Sequence, residues 1–398
     1  MAENNEAENG LFNRNFILFL ILNTVAFLSF QILVPLVPVY ALEFSATESQ
    51  IGILAGVIAL AAMIIRPFTG RMADIGDRKQ LILFSQLATA AAIACLIVAP
   101  NIFLLIAARF AHGVFFGISS TVLTTSAILT MPEKQMAKGI GFLGMTGIGS
   151  LAVAPAIGIG IAEQWGFPAL FIFTCILSGV SGLLVFIIPP GIMKPLAKKD
   201  DKAGVSLRDM LAFETFGVVG LAVCLAVATA IVTNFLVVFT DVRMIPNVGL
   251  YFTIYACIVI AARLFNSKVS DRFPFAWIVT VCGALVAIGM VIISAAYSFA
   301  PLAMAAVLIG VGYGIGSPTI QTVATQSVPP ERRGSVSATF FFGIDFAFVL
   351  GPFVGGNIAE AAGYGAGYLW FAIPPLLVVP FSFILERKKV SIKERKKA

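Results

Sequence analysis

Runs of about twenty apolar residues recur along this chain from residue 16 to residue 385, separated by short connections rich in charge, Pro or Gly. A helix needs roughly 20 apolar residues to cross the hydrocarbon core of a bilayer. In lipid every backbone N–H and C=O must be satisfied internally, which leaves helices or closed barrels, and runs of this length are helical. The pattern predicts twelve spans, at about 16–40, 50–69, 81–99, 102–130, 138–162, 167–189, 213–240, 247–266, 275–299, 301–327, 335–359 and 366–385. Composition agrees, since 59% of the 398 residues are hydrophobic and only 12% are charged. An ordinary soluble domain carries about twice that charge. The expectation is an all-α membrane protein.

An even number of spans puts both termini on one side. With the N-terminus inside, 22 of the 26 Lys and Arg fall in cytoplasmic segments. Arg66, Arg109 and Arg263 lie within spans, and only Arg243 falls outside. This is the positive-inside bias, so a multi-pass protein of the cell membrane with both termini cytoplasmic is expected. The bias also accounts for the net charge of +6, and nucleic acid is not needed as a partner. The start, MAENNEAENG, lacks a basic n-region, so the first apolar run is expected to be retained. The basic tail ERKKVSIKERKKA suits anionic headgroups. Short loops and the lack of N-x-S/T sequons fit a bacterial or archaeal plasma membrane.

The same residues argue against other classes. Five Cys (95, 175, 224, 257, 282) sit in apolar runs without CxxC spacing, and there is one His. No metal site, disulfide framework or cofactor is expected. G-x-S-x-G, P-loop, HExxH and dinucleotide patterns are missing, so neither an enzyme nor an ATP-driven pump is expected.

The chain repeats internally. Arg66 recurs 197 positions on as Arg263, and the same offset pairs Asp74 with Asp271, Pro132 with Pro329 and Pro155 with Pro352. Five glycines follow it: Gly52/Gly249, Gly113/Gly310, Gly117/Gly314, Gly158/Gly355 and Gly166/Gly363. The expected organisation is an N-terminal six-helix half (1–190), a cytoplasmic linker (191–212), a C-terminal six-helix half (213–386) and a basic tail (387–398). Two halves of the same orientation are parallel repeats about an axis along the membrane normal, an arrangement that suits alternating access.

Between spans two and three lies GRMADIGDRKQ. Together with the twelve spans and the 6+6 repeat, it resembles the major facilitator superfamily, whose loop pattern is G-x-L-A-D-R-x-G-R-K. Gly70, Asp74, Arg78 and Lys79 fit, whereas Ile75 and Asp77 depart from the pattern. A glycine at a helix end lets chains approach, and a carboxylate there can accept from the N-terminal amides of a neighbouring helix. The cluster reads as a conformational latch, or more simply as topogenic charge. Its second-half echo, RLFNSKVSDRFP, keeps Arg263, Asp271 and Arg272. Span four holds LIAARFAHGVFFG, similar to the R-x-x-Q-G of proton-coupled members, with Arg109 kept and His112 at the Gln position. Span five resembles the antiporter pattern G-x8-G-x3-G-P-x2-G-G at Gly141, Pro155 and Gly158. Its repeat mate keeps Gly351, Pro352 and Gly355, and packing explains both runs as well as hinging does.

Asp345 lies in FFFGIDFAFVLGP, about ten residues from the cytoplasmic end of span eleven. A carboxylate at that depth is costly to keep charged, which suits a proton carrier or the counter-charge of a cationic substrate. Arg109 and Asp345 fall in different halves, so a pairing between them would depend on conformation. Asn23, Gln31, Asn234 and Gln321 are polar groups in spans one, seven and ten, which usually line the cavity in the family. Interhelical hydrogen bonding explains them equally well. Phe115, Phe116, Phe235, Phe239, Phe342 and Phe346 would suit an apolar or aromatic substrate, or simply face lipid.

What the resemblance implies is a secondary transporter of the drug and metabolite antiporter branch, exporting a small organic molecule against protons, as a monomer in the bilayer. The alternatives are a proton symporter that imports a metabolite and, from another class, a non-transporting receptor.

Overall fold

The computed structural model describes residues 10–132, 135–189, 193, 212–328 and 333–395. Within them, the side chains of residues 70, 71, 74, 75, 136–138, 267, 333–335, 337 and 386–395 lie outside the description. The described chain is helical: α1 (Arg14–Tyr40), α2 (Glu48–Ile75), α3 (Arg78–Ile97), α4 (Ile102–Ile128), α5 (Met136–Leu184), α6 (Phe216–Val242), α7 (Val248–Arg272), α8 (Phe275–Ser294), α9 (Phe299–Gln326), α10 (Arg333–Trp370) and α11 (Ile373–Arg395).

Ten stretches among the described residues are long and apolar enough to span a membrane. Two of them, Gly139–Ile187 and Ala338–Leu385, run 49 and 48 residues. At 1.5 Å per residue each would exceed about 70 Å, more than twice a hydrocarbon core. The backbone resolves this by turning at one glycine in each: Gly166 (φ 79°, ψ 171°) and Gly363 (φ 83°, ψ 159°). Positive φ is strained for residues with a Cβ and open to glycine. Each long stretch therefore supplies two spans, and the twelve expected spans are present.

Gly166 and Gly363 are repeat mates, and the repeat extends to packing. A Cβ on Gly113 would run into the Ile58 carbonyl oxygen and Ala61, and one on Gly310 into Ile258 and the Tyr255 carbonyl oxygen. Gly117 faces Ala62 and Ile65, and Gly314 faces Val259 and Ala262. Each of these neighbours is related to its counterpart by the same 197-residue offset. Two copies of one helix crossing are thus built from equivalent residues.

The chain divides into two units. Unit 1 is Met1–Leu36 with Val57–Lys202, and unit 2 is Val37–Gly56 with Ala203–Ala398. The sequence reading placed residues 37–56 wholly in the first half, and the structure clusters them with the second. The contact is close. A Cβ on Gly356 would lie 2.5 Å from the Glu48 carbonyl oxygen, and one on Gly56 3.0 Å from that of Val349. Ser49 N–H donates to Glu360 Oε2 (3.0 Å), and its hydroxyl meets Asn357 Oδ1 (2.8 Å). In unit 1 an apolar core joins α1, α3, α4 and α5 around Phe19, Leu22, Ile82 and Val122. In unit 2 α6 is central: every residue from Leu225 to Thr240 is buried.

The one cation predicted outside is accounted for by its contacts. Arg243 Nη1 donates to the carbonyls of Ser294 (3.1 Å) and Ala296 (2.6 Å) at the end of α8. Its guanidinium lies 4.4 Å from the Phe239 ring centroid and 4.3 Å from that of Tyr297. It satisfies a helix C-terminus and stacks on aromatic faces.

Candidate functional site

The α2–α3 loop shows what its departures from the family pattern do. Asp77 is the N-cap of α3, its carboxylate accepting from Lys79 N (2.9 Å) and Gln80 N (3.3 Å). A cap residue here satisfies amides that would otherwise be orphaned. Arg78 is 1% exposed and its Nε donates to the Ala73 carbonyl (3.1 Å). Lys79 Nζ sits 4.6 Å over the Phe186 ring. Gly70 and Asp74 are in α2, and their side chains lie outside the described residues. Asp271 and Arg272, the echo, are exposed near the end of α7.

Among the helix-packing positions, Gly158 approaches Ile32 and Leu36, and Gly351 approaches Ala230 and Val227. Gly355 presses on Ile231, whereas a Cβ at Gly141 would meet open space. Pro155 and Pro352 lie inside α5 and α10.

In unit 1, α4 starts at Asn101, whose side chain caps Leu104 N (3.0 Å), and carries Arg109 and His112 one turn apart. Both are fully buried. Arg109 Nη1 lies 3.4 Å from His112 Nδ1. An arginine can only donate, so Nδ1 must accept and the imidazole proton resides on Nε2. Arg109 Nε and Nη2 and His112 Nε2 have no hydrogen-bond partner among the described residues. The imidazole sits edge-on to Phe30 (5.9 Å, 77°), which stacks on Phe116 (3.9 Å, 12°). A guanidinium with unmet donors in an aromatic setting is costly to bury. Asn23, also buried, donates to Thr146 Oγ1 (2.7 Å) and keeps an unmet Oδ1. Gln31 is half-buried.

In unit 2, Asn234 is 2% exposed and donates to its own helix at Ala230 O (2.8 Å). Gln321 is half-buried on α9, and Asp345 half-buried on α10. The aromatic residues divide: Phe116, Phe235 and Phe239 are buried, while Phe342 and Phe346 are exposed.

The sequence reading passed over five tyrosines of unit 2. Tyr251 and Tyr255 stack on successive turns of α7 (6.3 Å, 6°). Tyr255 is buried, and Tyr313 and Tyr364 are half-buried. Tyr368 sits edge-on to Phe239 (5.0 Å, 71°), and Tyr364 lies 5.9 Å from the Phe235 ring. Tyr364 and Tyr368 line a small cavity with Ile231, Phe235, Gly355 and Ala359. The signal that would have found them is the repeat itself, because their first-half mates are Leu54, Ile58, Phe116, Phe167 and Phe171.

Two six-span repeats with glycine-mediated crossings make a polytopic membrane protein. The family model of the Major Facilitator Superfamily matches residues 19–247 and 244–398, and the chain belongs to that family. It is 21% identical over 376 residues to the multi-drug resistance efflux pump PmrA homolog of Lactococcus lactis subsp. lactis (strain IL1403), covering 90% of this chain and 92% of that protein. It is 23% identical over 392 residues to the multi-drug resistance efflux pump PmrA of Streptococcus pneumoniae serotype 4 (strain ATCC BAA-334 / TIGR4), covering 92% and 94%. The solved nucleoside transporter NupG has the same fold: TM-score 0.73 at 15% identity, over 94% of this chain and 99% of that one.

Proposed function

We propose that this protein is a proton-coupled exporter of small organic molecules, a monomer in a bacterial cell membrane with both termini cytoplasmic. The observation that carries the reading is the buried Arg109–His112 pair. In this contact Nδ1 is an acceptor. A proton arriving on Nδ1 removes that acceptor and sets a second positive charge beside the guanidinium. Proton binding and the Arg109 contact therefore exclude each other, which is what a coupling element needs: two states that one proton separates. Asp345, half-buried within a span, is the proposed proton carrier, released or reloaded as the transporter changes state. Gly70, Asp74, Arg78 and Lys79 are the proposed latch. The relatives named as multi-drug efflux pumps support export.

The test uses inverted membrane vesicles, a pH gradient, and ethidium and chloramphenicol as probes. Wild type is expected to concentrate a probe when the gradient is imposed and to release it when the gradient is collapsed. Asp345→Asn is expected to abolish the response to the gradient. An Asp345→Asn protein with the full response ends the proton role of that residue. Uptake into intact cells in place of export selects the alternative, a proton-coupled importer of a small metabolite.

A further inference from the structure

The Gly363 turn holds the place in the second repeat that the Gly166 turn holds in the first, and the two backbones match there (φ 83°, ψ 159° against φ 79°, ψ 171°). The residues that follow each turn are therefore equivalent. They are Phe167, Leu170 and Phe171 in unit 1 and Tyr364, Gly367 and Tyr368 in unit 2, paired by the 197-residue offset. Burial is kept position by position: Phe167 and Tyr364 are half-buried, and the other four are buried. Within that shared frame unit 2 has one large side chain fewer and two hydroxyls more.

Both changes meet at one place. A cavity of about 10 Å³ lies at the turn, with Tyr364, Gly367 and Tyr368 after the turn, Gly355 before it and Phe235 of α6 in its lining. A Cβ on Gly367 would have one neighbour within 4 Å, the Gly355 carbonyl oxygen at 3.8 Å, which is ordinary contact. The room beside Gly367 is thus room that a side chain could take, and the first repeat has Leu170 at that position, 0% exposed. The two phenol rings pack against α6: Tyr364 lies 5.9 Å from the Phe235 ring and Tyr368 5.0 Å from that of Phe239. Their hydroxyls are buried and have no hydrogen-bond partner among the described residues.

Buried phenol hydroxyls nearly always find a partner. Packing at the turn does not ask for them, since Phe167 and Phe171 serve at the equivalent positions. The size of the cavity decides what the partner is. A single water molecule needs about 10–15 Å³ and two to four polar partners. A larger organic ligand has no room there, and an apolar one would leave both hydroxyls unmet. The oxygen of one water can accept from two phenols at once, which makes it a bridge between them.

We propose that the Gly363 turn of unit 2 binds one structural water molecule, which accepts hydrogen bonds from Tyr364 and Tyr368 in space that the first repeat gives to Leu170. The site belongs to the fold of unit 2 and stands independently of the transport reading above, because its test reads folding and not transport.

The experiment measures the melting temperature of full-length purified protein. Tyr364→Phe and Tyr368→Phe keep the rings and are each expected to lower it by about 2–4 °C, the size of one lost hydrogen bond. The double variant is expected to lose no more than the worse single one. A water left with one phenol departs, the other hydroxyl is then a buried donor without an acceptor, and its removal brings relief. Tyr251→Phe is the control. The Tyr251 hydroxyl is also buried and unmet, but Tyr251 is not among the lining residues, so the melting temperature is expected to stay level or rise. A rise in both single variants overturns the bound water, because it means that nothing accepts from the two hydroxyls. Losses that add in the double variant overturn it as well, because each phenol then has a partner of its own. A loss at Tyr251→Phe as large as the other two does the same, since the effect would then belong to any buried phenol. A density map of the wild type fine enough to show ordered water gives a reading that needs no variant. A peak within about 3.2 Å of both Oη atoms is expected, and a map with ordered water elsewhere and none here overturns the proposal.

Discussion

The two repeats keep the same glycines and different chemistry, and the contrast separates what the fold requires from what the site requires. At Gly113 and Gly310 the neighbouring helix comes so close that a methyl group has no room, and the residues it would strike correspond by the same offset. At Arg109 and His112, by contrast, the second repeat has Ala306 and Ile309, while at Tyr255 and Tyr313 the first has Ile58 and Phe116. The polar residues therefore differ between the repeats: α4 carries a buried cation and imidazole in unit 1, and α7 and α9 carry phenols and Arg263 in unit 2. Matched positions mark the shared packing, and mismatched ones mark where the two repeats differ in chemistry.

The largest effect should come from breaking a matched position. Gly113→Val and Gly310→Val should each cost about 3 kcal/mol or more, because the obstacle is backbone or a packed side chain and cannot rotate away. The measurement is the yield and melting temperature of purified protein, and both variants should fail to the same degree. If one copy tolerates valine and the other does not, the crossings are not energetically equivalent.

Breaking a mismatched position should spare folding and strike transport. Arg109→Gln should lower gradient-driven probe transport about 10- to 100-fold, and His112→Gln, which keeps an acceptor but cannot carry the proton, should flatten the pH dependence of that transport. Melting temperatures of both should stay near wild type, since removing an unsatisfied buried charge relieves a desolvation cost. A large drop in melting temperature, with transport rescued by cooling, would show the pair to be structural.

Much of this contrast was legible in the sequence, for physical reasons that also explain what was not. Spans are long apolar runs, and the repeat is a fixed offset, so both could be read from residues alone. Arg109 and Asp345 stood out because charge is rare in such runs. The tyrosines did not, because a lone Tyr in an apolar run looks like any aromatic, and only its position against a Phe or Ile mate distinguishes it. Asp77 looked like a defect in the loop pattern, and the structure shows a helix cap, which depends on a local backbone geometry that the family pattern does not describe. The membership of residues 37–56 in unit 2 was not legible at all. It depends on Gly52 meeting Gly356 and Gly56 meeting Val349 across about 300 residues of chain, and neither Gly52 nor Gly56 carries a sign of its partner.

That segment gives a sharper, intermediate test. Ser49 Oγ and Asn357 Oδ1 are 2.8 Å apart, so the double variant Ser49→Cys with Asn357→Cys should cross-link on mild oxidation. If the segment must part from α10 during a transport cycle, the cross-link should stop probe movement and a reductant should restore it. Cross-linked protein that transports at the wild-type rate would mean that residues 37–56 travel with unit 2 throughout.

The smallest effects come from adding a single methyl group at glycines that differ in backbone and surroundings. Gly166→Ala and Gly363→Ala place a Cβ on a left-handed backbone and should each cost about 1–2 kcal/mol, read as paired drops in melting temperature. Gly141, read from the sequence as a packing position, faces open space within its helix. There alanine removes the entropic penalty of glycine, and a gain of about 0.5–1 kcal/mol is expected. Equal losses at all three would mean that Gly141 is close-packed in a state other than the one described, and that its match to the antiporter pattern reflects that second state.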